Sequence, residues 1–255
     1  MAQTLQSVTQ ALRVLTELQS REAAGVTELA EALDIGPSTV HRLLTSLLEH
    51  AFVERATGRR YRLGSAMRLS PDAAAIEHCI EVGHEVMKAL RDASAETVHI
   101  SVLDGARSKF VAAIESPHMM RVTSRVGRRL PAHTSAAGKA LLAELPTERL
   151  HAVYPHEHLP RVTDRSVDSR TQLETELELT RSRGYGRNFG ESEADLAALA
   201  VVIRRPSGVP LCSLTLTGPI SRINPGGSVE VSDRELELVD LLKRHAAQLE
   251  QQLEH

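Results

Sequence analysis

Residues 36–64 read GPSTVHRLLTSLLEHAFVERATGRRYRLG, and this stretch decides the fold. At helical spacing Val40, Leu43, Leu44, Leu47 and Leu48 gather into one apolar stripe, with Ser38, Arg42, Thr45 and Ser46 opposite. Pro37 suits the first turn of that helix, and Asp34-Ile35-Gly36 breaks the chain before it. The preceding short helix carries Leu29, Ala30 and Leu33 and takes Thr27 as its expected N-cap. Downstream, Phe52–Arg55 and Arg60–Leu63 read as two short strands joined through Thr57-Gly58. Tyr61 and Leu63 share one face of the second strand, leaving Arg60 and Arg62 on the other. Helix, turn, helix and hairpin in this order predict a winged helix-turn-helix. Its apolar stripe is committed to a core, so the polar face is free to enter a DNA major groove. Ser38, Thr39, His41, Arg42 and Thr45 are the candidate contacts on the helix. Arg59, Arg60 and Arg62 are the candidates on the wing, where they can reach phosphates or the minor groove.

Charge supports this reading. The 255 residues carry a formal net charge of -3, so a polyanion must meet a local patch. From Ser38 to Ser70 six arginines (42, 55, 59, 60, 62 and 68) stand against Glu49 and Glu54. Glu17, Glu22, Glu28, Glu31 and Asp34 are expected to lie outside that surface. The competing explanation is a solvated helix beside an incidental arginine cluster, and the order of elements favours DNA.

Apolar content of 42% with 25% charged residues is that of an ordinary globular chain, long enough for two modest domains. Cys79 and Cys212 sit far apart in apolar settings, as two buried thiols would, which fits a reducing cytoplasm. Met1–Leu18 lacks the pattern of a signal peptide, and no apolar run is long enough to cross a bilayer. The expected location is therefore cytoplasmic. Leu253-Glu254-His255 resembles an expression-tag remnant and is given no functional weight.

Outside the opening stretch, Leu5, Val8, Leu12 and Leu15 recur at helical spacing, more than a small core needs, which makes that helix a candidate dimer contact. Pro71 is expected to end a unit of residues 1–70. A linker helix over 71–93 follows, with Ile76, Ile80, Val86, Met87 and Leu90 apolar. Residues 94–255 then mix strands and helices. Thr97–Leu103 and Lys109–Glu115 read as strands around Asp104-Gly105, and Ala200–Arg204 and Leu211–Thr217 as a pair around Pro206-Ser207-Gly208. Ala136–Leu145 and Ser169–Arg183 read as helices, the latter stopped by Gly184. A capping box, Ser232 to Glu235, opens a last helix through Val239, Leu242, Ala246 and Leu249. The expected class is α+β, an antiparallel sheet with flanking helices.

Catalytic motifs do not assemble. HTSAAGKALL (133–142) superficially suggests a phosphate loop, but His133 replaces its first glycine and Ala140 the magnesium-binding hydroxyl. Ser135 and Lys139 are one residue too far apart for a Ser-x-x-Lys nucleophile. His156, Glu157 and His158 lack a further ligand group to hold a metal. No GxSxG or HExxH occurs. The chain is thus expected to be no enzyme and to need no cofactor or metal. Ala136, Ala137 and Gly138 instead open a helix with exposed N–H groups, an anion-binding geometry. Small residues that merely permit close packing are the alternative.

SVTQALRVLTEL (7–18), TELAEALDIGPSTVHRLLTSLLEHAFVER (27–55) and RRYRLG (59–64) are similar to the winged-helix domain of the IclR-type transcriptional regulators. ETVHISVLDG (96–105), IESPHMMRVTSRVGRRLPAHTSAAGKALLA (114–143) and LTLTGPISRI (214–223) resemble that family's effector-binding domain. The resemblance runs nearly end to end in the family's order. It implies a bacterial repressor or activator, dimeric or tetrameric, that binds double-stranded operator DNA. It also implies a GAF-like C-terminal sensor of a small metabolite, frequently a carboxylate or an aromatic catabolite. Carried over position by position, the backbone at Ala136 and Ala137 would hold the effector's acid, and Val122 and Leu130 would wall it. Asn188, Ala198, Thr215 and Thr217 would converge from the second half. Asn188 stands where members commonly place an acid, Ala198 where a cysteine or other polar residue is frequent, and Asp195 near a usual glycine. These departures imply an effector less polar than, or different in size from, a two-carbon acid, with Asp195 a candidate to take a polar role. A purely structural dimerisation domain without an effector is the rival.

Overall fold

The structure, a computed structural model, describes residues 5–21, 23–64, 66, 72–225 and 230–254. Arg68, Pro71, Glu22 and His255, all read above from sequence, lie outside the described residues. The chain divides into two compact units, Met1–Ala73 and Ala74–His255.

The first unit contains α1 (Gln6–Gln19), α2 (Val26–Leu33), α3 (Pro37–Glu49), β1 (Val53–Ala56) and β2 (Arg60–Leu63). Val14, Leu15 and Leu18 of α1 close on Leu29, Leu33, Val40, Leu44, Val53 and Tyr61 to make its core. The stripe read on α1 therefore splits. Leu15 is buried, whereas Leu5, Val8 and Leu12 are 71%, 51% and 59% exposed. The start of α2 also differs from expectation. Gly25, not Thr27, holds the N-cap position, and the Glu28 carboxylate accepts the Gly25 N–H at 3.3 Å. Glu28 thereby makes the reciprocal half of a capping box, on the N–H of the cap residue itself, while Gly25 has no side chain to accept the first-turn amides. Asp34 ends α2 at a left-handed φ of 54°, and Pro37 is the first residue of α3. β1 and β2 pair antiparallel, and the turn between them places Gly58 and Arg59 at φ 74° and 59°.

The second unit runs α4 (Ala73–Ser94), β3 (Thr97–Asp104), β4 (Arg107–Ile114), β5 (Arg129–Pro131), α5 (Ala136–Leu142), α6 (Thr147–Val153) and α7 (Arg170–Arg183). It continues with β6 (Gly186–Phe189), β7 (Leu196–Arg204), β8 (Pro210–Pro219), α8 (Ile220–Ile223) and α9 (Asp233–Gln252). Six strands form one antiparallel sheet in the order β5-β4-β3-β8-β7-β6.

Strand alternation gives this sheet two unlike faces. Val98, Ile100, Leu199, Val201, Ile203, Leu214 and Leu216 meet Val86, Met87 and Leu90 of α4 and Leu238, Leu242 and Leu249 of α9. The helix expected as a linker is thus built into this core. On the other face the register aligns Thr97, His99 and Ser101 with Thr217, Thr215 and Ser213. Ala198 and Ala200 of β7 and Asn188 of β6 continue that row. α5 lies over it through Ala136, Ala137 and Ala140. A Cβ on Gly138 would strike the Ala132 backbone, and one on Gly186 the Ala136 carbonyl oxygen. The small residues of α5 therefore do permit close packing.

Two helix ends differ from the sequence reading for local reasons. α5 stops at Leu142 because the Glu144 and Leu145 amides tighten to i−3 carbonyls before Pro146. At α9 the capping box forms by half. Ser232 Oγ accepts the Glu235 N–H at 3.2 Å, but the Glu235 carboxylate turns to the Tyr185 hydroxyl and the Arg187 guanidinium. Gly184 stops α7 at φ 75°, as its position predicts. Among the described residues no helix is long and apolar enough to cross a membrane.

Candidate functional site

Two surfaces carry the candidate chemistry, one in each unit. On α3 the side chains of Ser38, His41, Arg42 and Thr45 are exposed and Thr39 is half-buried. Thr45 Oγ1 donates to the His41 carbonyl at 2.9 Å, which leaves its lone pairs as acceptors. The wing corrects the charge count made from sequence. Arg60 donates to the Glu28 carboxylate at 2.8 Å and to the Ala23 carbonyl at 2.7 Å, and Arg62 to Glu54 at 2.6 Å. Glu28, expected outside this surface, is thus held against it where Ala24, just before α2, bridges to Tyr61 of the hairpin. These pairs are open to solvent, so a phosphate can compete for both arginines. Among the described residues no ion pair engages Arg42 or Arg59. Arg55 stacks over Tyr61 at 5.9 Å, and with Arg60 and Arg62 it lines an open groove of about 480 Å³.

In the second unit Leu130, Ala136, Ala137, Asn188, Ala198, Thr215 and Thr217 come together around one small cavity of about 20 Å³. That is room for about one water. Two expected members stand apart. Val122 is not in the wall itself but packs, half-buried, against the alanines of α5 and β7, and its carbonyl accepts the Thr97 hydroxyl at 2.6 Å. Asp195 is exposed at the end of the β6–β7 hairpin, where its carbonyl accepts the Ile220 N–H at 2.9 Å. It is not among the residues that line the cavity.

The polar groups of the cavity are unevenly satisfied. Asn188 is engaged at both ends of its amide, donating to Ser192 Oγ at 2.8 Å and accepting the Glu191 N–H at 2.9 Å. Thr217 Oγ1 lies 3.5 Å from His99 Nδ1. Thr215 Oγ1 has no partner although the residue is 2% exposed. At the start of α5, Ser135 Oγ accepts the Gly138 N–H at 3.0 Å, so the cap already uses one of the exposed amides.

Sequence reasoning missed three residues here. Arg125 lines the cavity, is 7% exposed, and bonds the Glu193 carboxylate at 2.7 Å. His99 is fully buried and meets Phe110 edge to face at 5.0 Å. Burial, then the Arg125 charge, push its imidazole down to about 4, against the opposing effect of Glu115. The alternation of Thr97, His99 and Ser101 with Val98, Ile100 and Val102 was a signal for a polar sheet face. Nothing local marks Arg125. The third is Lys139, 2% exposed at its side chain, which bonds Glu191 at 2.7 Å and Glu176 at 3.2 Å. Burial holds the Glu191 carboxyl above its ordinary range, although Lys139 pulls the other way. For Glu176 burial is outweighed by the charges of Lys139 and Arg183, which leave its carboxyl below that range. His156, Glu157 and His158 lie in a loop where Glu157 accepts the Thr171 N–H and faces Arg170 at 3.6 Å.

A winged helix-turn-helix unit followed by a separate sheet-and-helix unit is the build of a DNA-binding transcriptional regulator. Two family models match the chain: the IclR helix-turn-helix domain over residues 7–57, and the bacterial transcriptional regulator IclR C-terminal domain over residues 73–249. The chain belongs to the IclR family of bacterial transcriptional regulators. It is 31% identical to the transcriptional repressor IclR of Escherichia coli (strain K12) over 225 residues, 86% of this chain and 82% of that one. It is 28% identical to the regulator KdgR of Dickeya chrysanthemi over 249 residues, 97% of this chain and 79% of that one. Among solved structures, a transcriptional regulator from Rhodococcus sp. RHA1 superposes with a TM-score of 0.63 at 26% identity, covering 98% of each chain. An IclR homolog from Microbacterium hydrocarbonoxydans, complexed with 4-hydroxybenzoate, shares the fold with a TM-score of 0.62 at 24% identity, over 97% of this chain and 99% of that one.

Proposed function

We propose that residues 1–70 bind an operator, that residues 71–93 join this unit to the rest, and that residues 94–255 bind a small organic acid or aromatic catabolite that alters operator affinity. The observation that carries the effector reading is the polar sheet face under α5, where the buried Thr215 Oγ1 has no partner. A purely structural domain gains nothing from the unmet Thr215 hydroxyl and His99 Nε2 on this face, since each unmet polar group costs about 1–3 kcal/mol. On the DNA side, Arg42 reads a base and Arg59 holds a phosphate, with Arg60 and Arg62 exchanging their carboxylate partners for phosphates.

The test of the DNA reading uses a duplex selected by the purified protein from random sequence, and a scrambled control. Arg42→Ala should weaken the selected duplex by about 1–3 kcal/mol and the control hardly at all. Arg59→Ala should weaken both alike and reduce the salt slope by about 1. Equal losses on both duplexes for Arg42→Ala would remove its base-reading role. For the effector, a thermal-shift screen of organic acids begins with 4-hydroxybenzoate, the ligand of the Microbacterium homologue. Thr215→Val should weaken the acid so found about tenfold and leave DNA affinity without it intact. By linkage, the operator must change affinity for that acid by the same factor that the acid changes affinity for the operator. Equal acid affinity with and without operator would remove this cavity as the switch.

The exposed Leu5, Val8 and Leu12 of α1 supply an apolar contact for a two-fold partner, so the working form is a homodimer or a tetramer built from dimers. Light scattering that gives a monomer at micromolar concentration, with and without DNA, would exclude this.

A further inference from the structure

Resting on the effector-pocket reading, we propose that Glu193 is a built-in stand-in for the effector's anion. Its carboxylate holds the Arg125 guanidinium at the cavity wall, and an organic anion entering the cavity takes Arg125 over and releases the tip of the β6–β7 hairpin.

The pair is unequal in a way that sets the direction of exchange. The Arg125 side chain is 8% exposed and that of Glu193 is 53% exposed, with 2.7 Å between their atoms. A guanidinium stays charged at any working pH, so a buried one requires an anionic partner. Glu193 has no such need, because on release its carboxylate returns to water. A ligand carboxylate that can pair with Arg125 in two-pronged fashion, inside a wall that excludes water, is the better partner. The cavity already holds a second group waiting for one, the unpartnered Thr215 hydroxyl. The start of α5 is the weaker anion partner, since this helix has seven residues and Ser135 takes its Gly138 amide.

Size points to the same segment. About 20 Å³ admits no organic acid, so some wall must move. α5 cannot settle elsewhere easily, because Gly138 and Gly186 seat it against backbone on two sides. β7 and β8 are central strands of the sheet. The hairpin tip is different. It contributes Ser192 to the wall and Glu193 to Arg125, and it turns on Gly190 at φ 77°. Its base is fastened, with Thr163 Oγ1 donating to the Gly190 carbonyl and Ser166 Oγ to the Glu191 carbonyl. Beyond that base, the Glu193–Arg125 ion pair and the Leu196 N–H to Glu193 carbonyl bond close the tip. Ser192 stays bonded to Asn188 and Asp195 to Ile220, so releasing the carboxylate frees residues 193–194 and leaves the strands in place.

The test titrates acetate and 4-hydroxybenzoate by calorimetry into the full chain, with acetamide and 4-hydroxybenzamide as uncharged controls. Glu193→Gln keeps a half-exposed side chain of the same size and should fold. It should bind at least one of the two acids about tenfold more tightly than wild type, with the amides unchanged. Arg125→Lys should lose most of the preference for acid over amide. Hydrogen exchange at the Leu196 amide, which the Glu193 carbonyl accepts, should quicken in Glu193→Gln, and in wild type on saturation with the acid. If Glu193→Gln shifts acid and amide together, or if exchange at the tip stays unchanged, the stand-in is overturned while the effector pocket survives. If neither acid binds Glu193→Gln at millimolar concentration, the stand-in is likewise overturned. The wider acid screen and Thr215→Val then decide the pocket by themselves.

Discussion

Lys139→Met is expected to lower the unfolding free energy of the second unit by about 3–5 kcal/mol, enough to unfold a marginal domain. The Lys139 ammonium, 2% exposed, is shared between Glu191 at 2.7 Å and Glu176 at 3.2 Å. Glu176 keeps a second cation, Arg183 at 2.6 Å, when the lysine is gone. Glu191 keeps none of comparable reach, and its Oε2 has no hydrogen-bond partner even with the lysine in place. An ionised carboxylate would then stand 13% exposed without a counter-charge, which is the costly half of a broken buried pair. Burial already holds Glu191 above its ordinary range, and removing Lys139 raises it further. A carboxyl whose folded value is raised destabilises the fold while ionised and ceases to do so as pH falls through that value. Urea unfolding of the variant should therefore show a deficit at neutral pH that narrows as pH falls towards the ordinary carboxyl range. Adding Glu191→Gln should recover part of the loss. A deficit under about 1 kcal/mol that is flat in pH would mean that water, not the lysine, satisfies Glu191.

Legibility from sequence followed the range of the interaction. α3 was readable to within a residue because its stripe, Pro37 and the Asp34–Gly36 break are all local signals. The inward Tyr61 and outward Arg60 and Arg62 followed from strand alternation alone. What Arg60 touches did not follow, because Glu28 lies 32 residues away and the Ala24–Tyr61 bridge before α2 brings it near. The half-formed cap of α9 has the same origin. Ser232 and Glu235 have the right spacing, but Arg187, 48 residues off, outcompetes a backbone amide for the carboxylate. Around the cavity, Thr215 and Thr217 were legible as alternate residues of one strand, whereas Arg125 and Glu193 meet across 68 positions with no motif around either. β5 and β6, of three and four residues, are too short for a periodicity to show. The departure of Asp195 has a physical cause too. It follows the Gly190 turn at the hairpin end, and the chain spends its backbone carbonyl on Ile220.

Acid should destabilise the second unit through His99, by about 3 kcal/mol between its ordinary titration and its folded one. The residue is fully buried on β3, its Nε2 has no partner, and its Nδ1 meets only the Thr217 hydroxyl at 3.5 Å. Burial, then the charge of Arg125, push it down from 6.5 to about 4, with Glu115 acting against them. A histidine whose folded value is depressed binds its proton more readily in the unfolded chain. Its contribution to stability is therefore complete above about pH 6.5 and is lost as pH falls to about 4. At about 1.36 kcal/mol per pH unit, that interval gives the figure above. The ring meets Phe110 at 5.0 Å and only the Thr217 hydroxyl through Nδ1, so no carboxylate bonds the imidazolium to replace the water that it would lose. His99→Gln carries no titrating group and keeps a polar contact for Thr217. In urea titrations from about pH 7 to about pH 4, wild type should lose about 3 kcal/mol more than this variant, with the divergence beginning near pH 6.5. Parallel curves would mean that His99 takes up its proton in the folded state, which requires water or an anion to reach the polar face of the sheet.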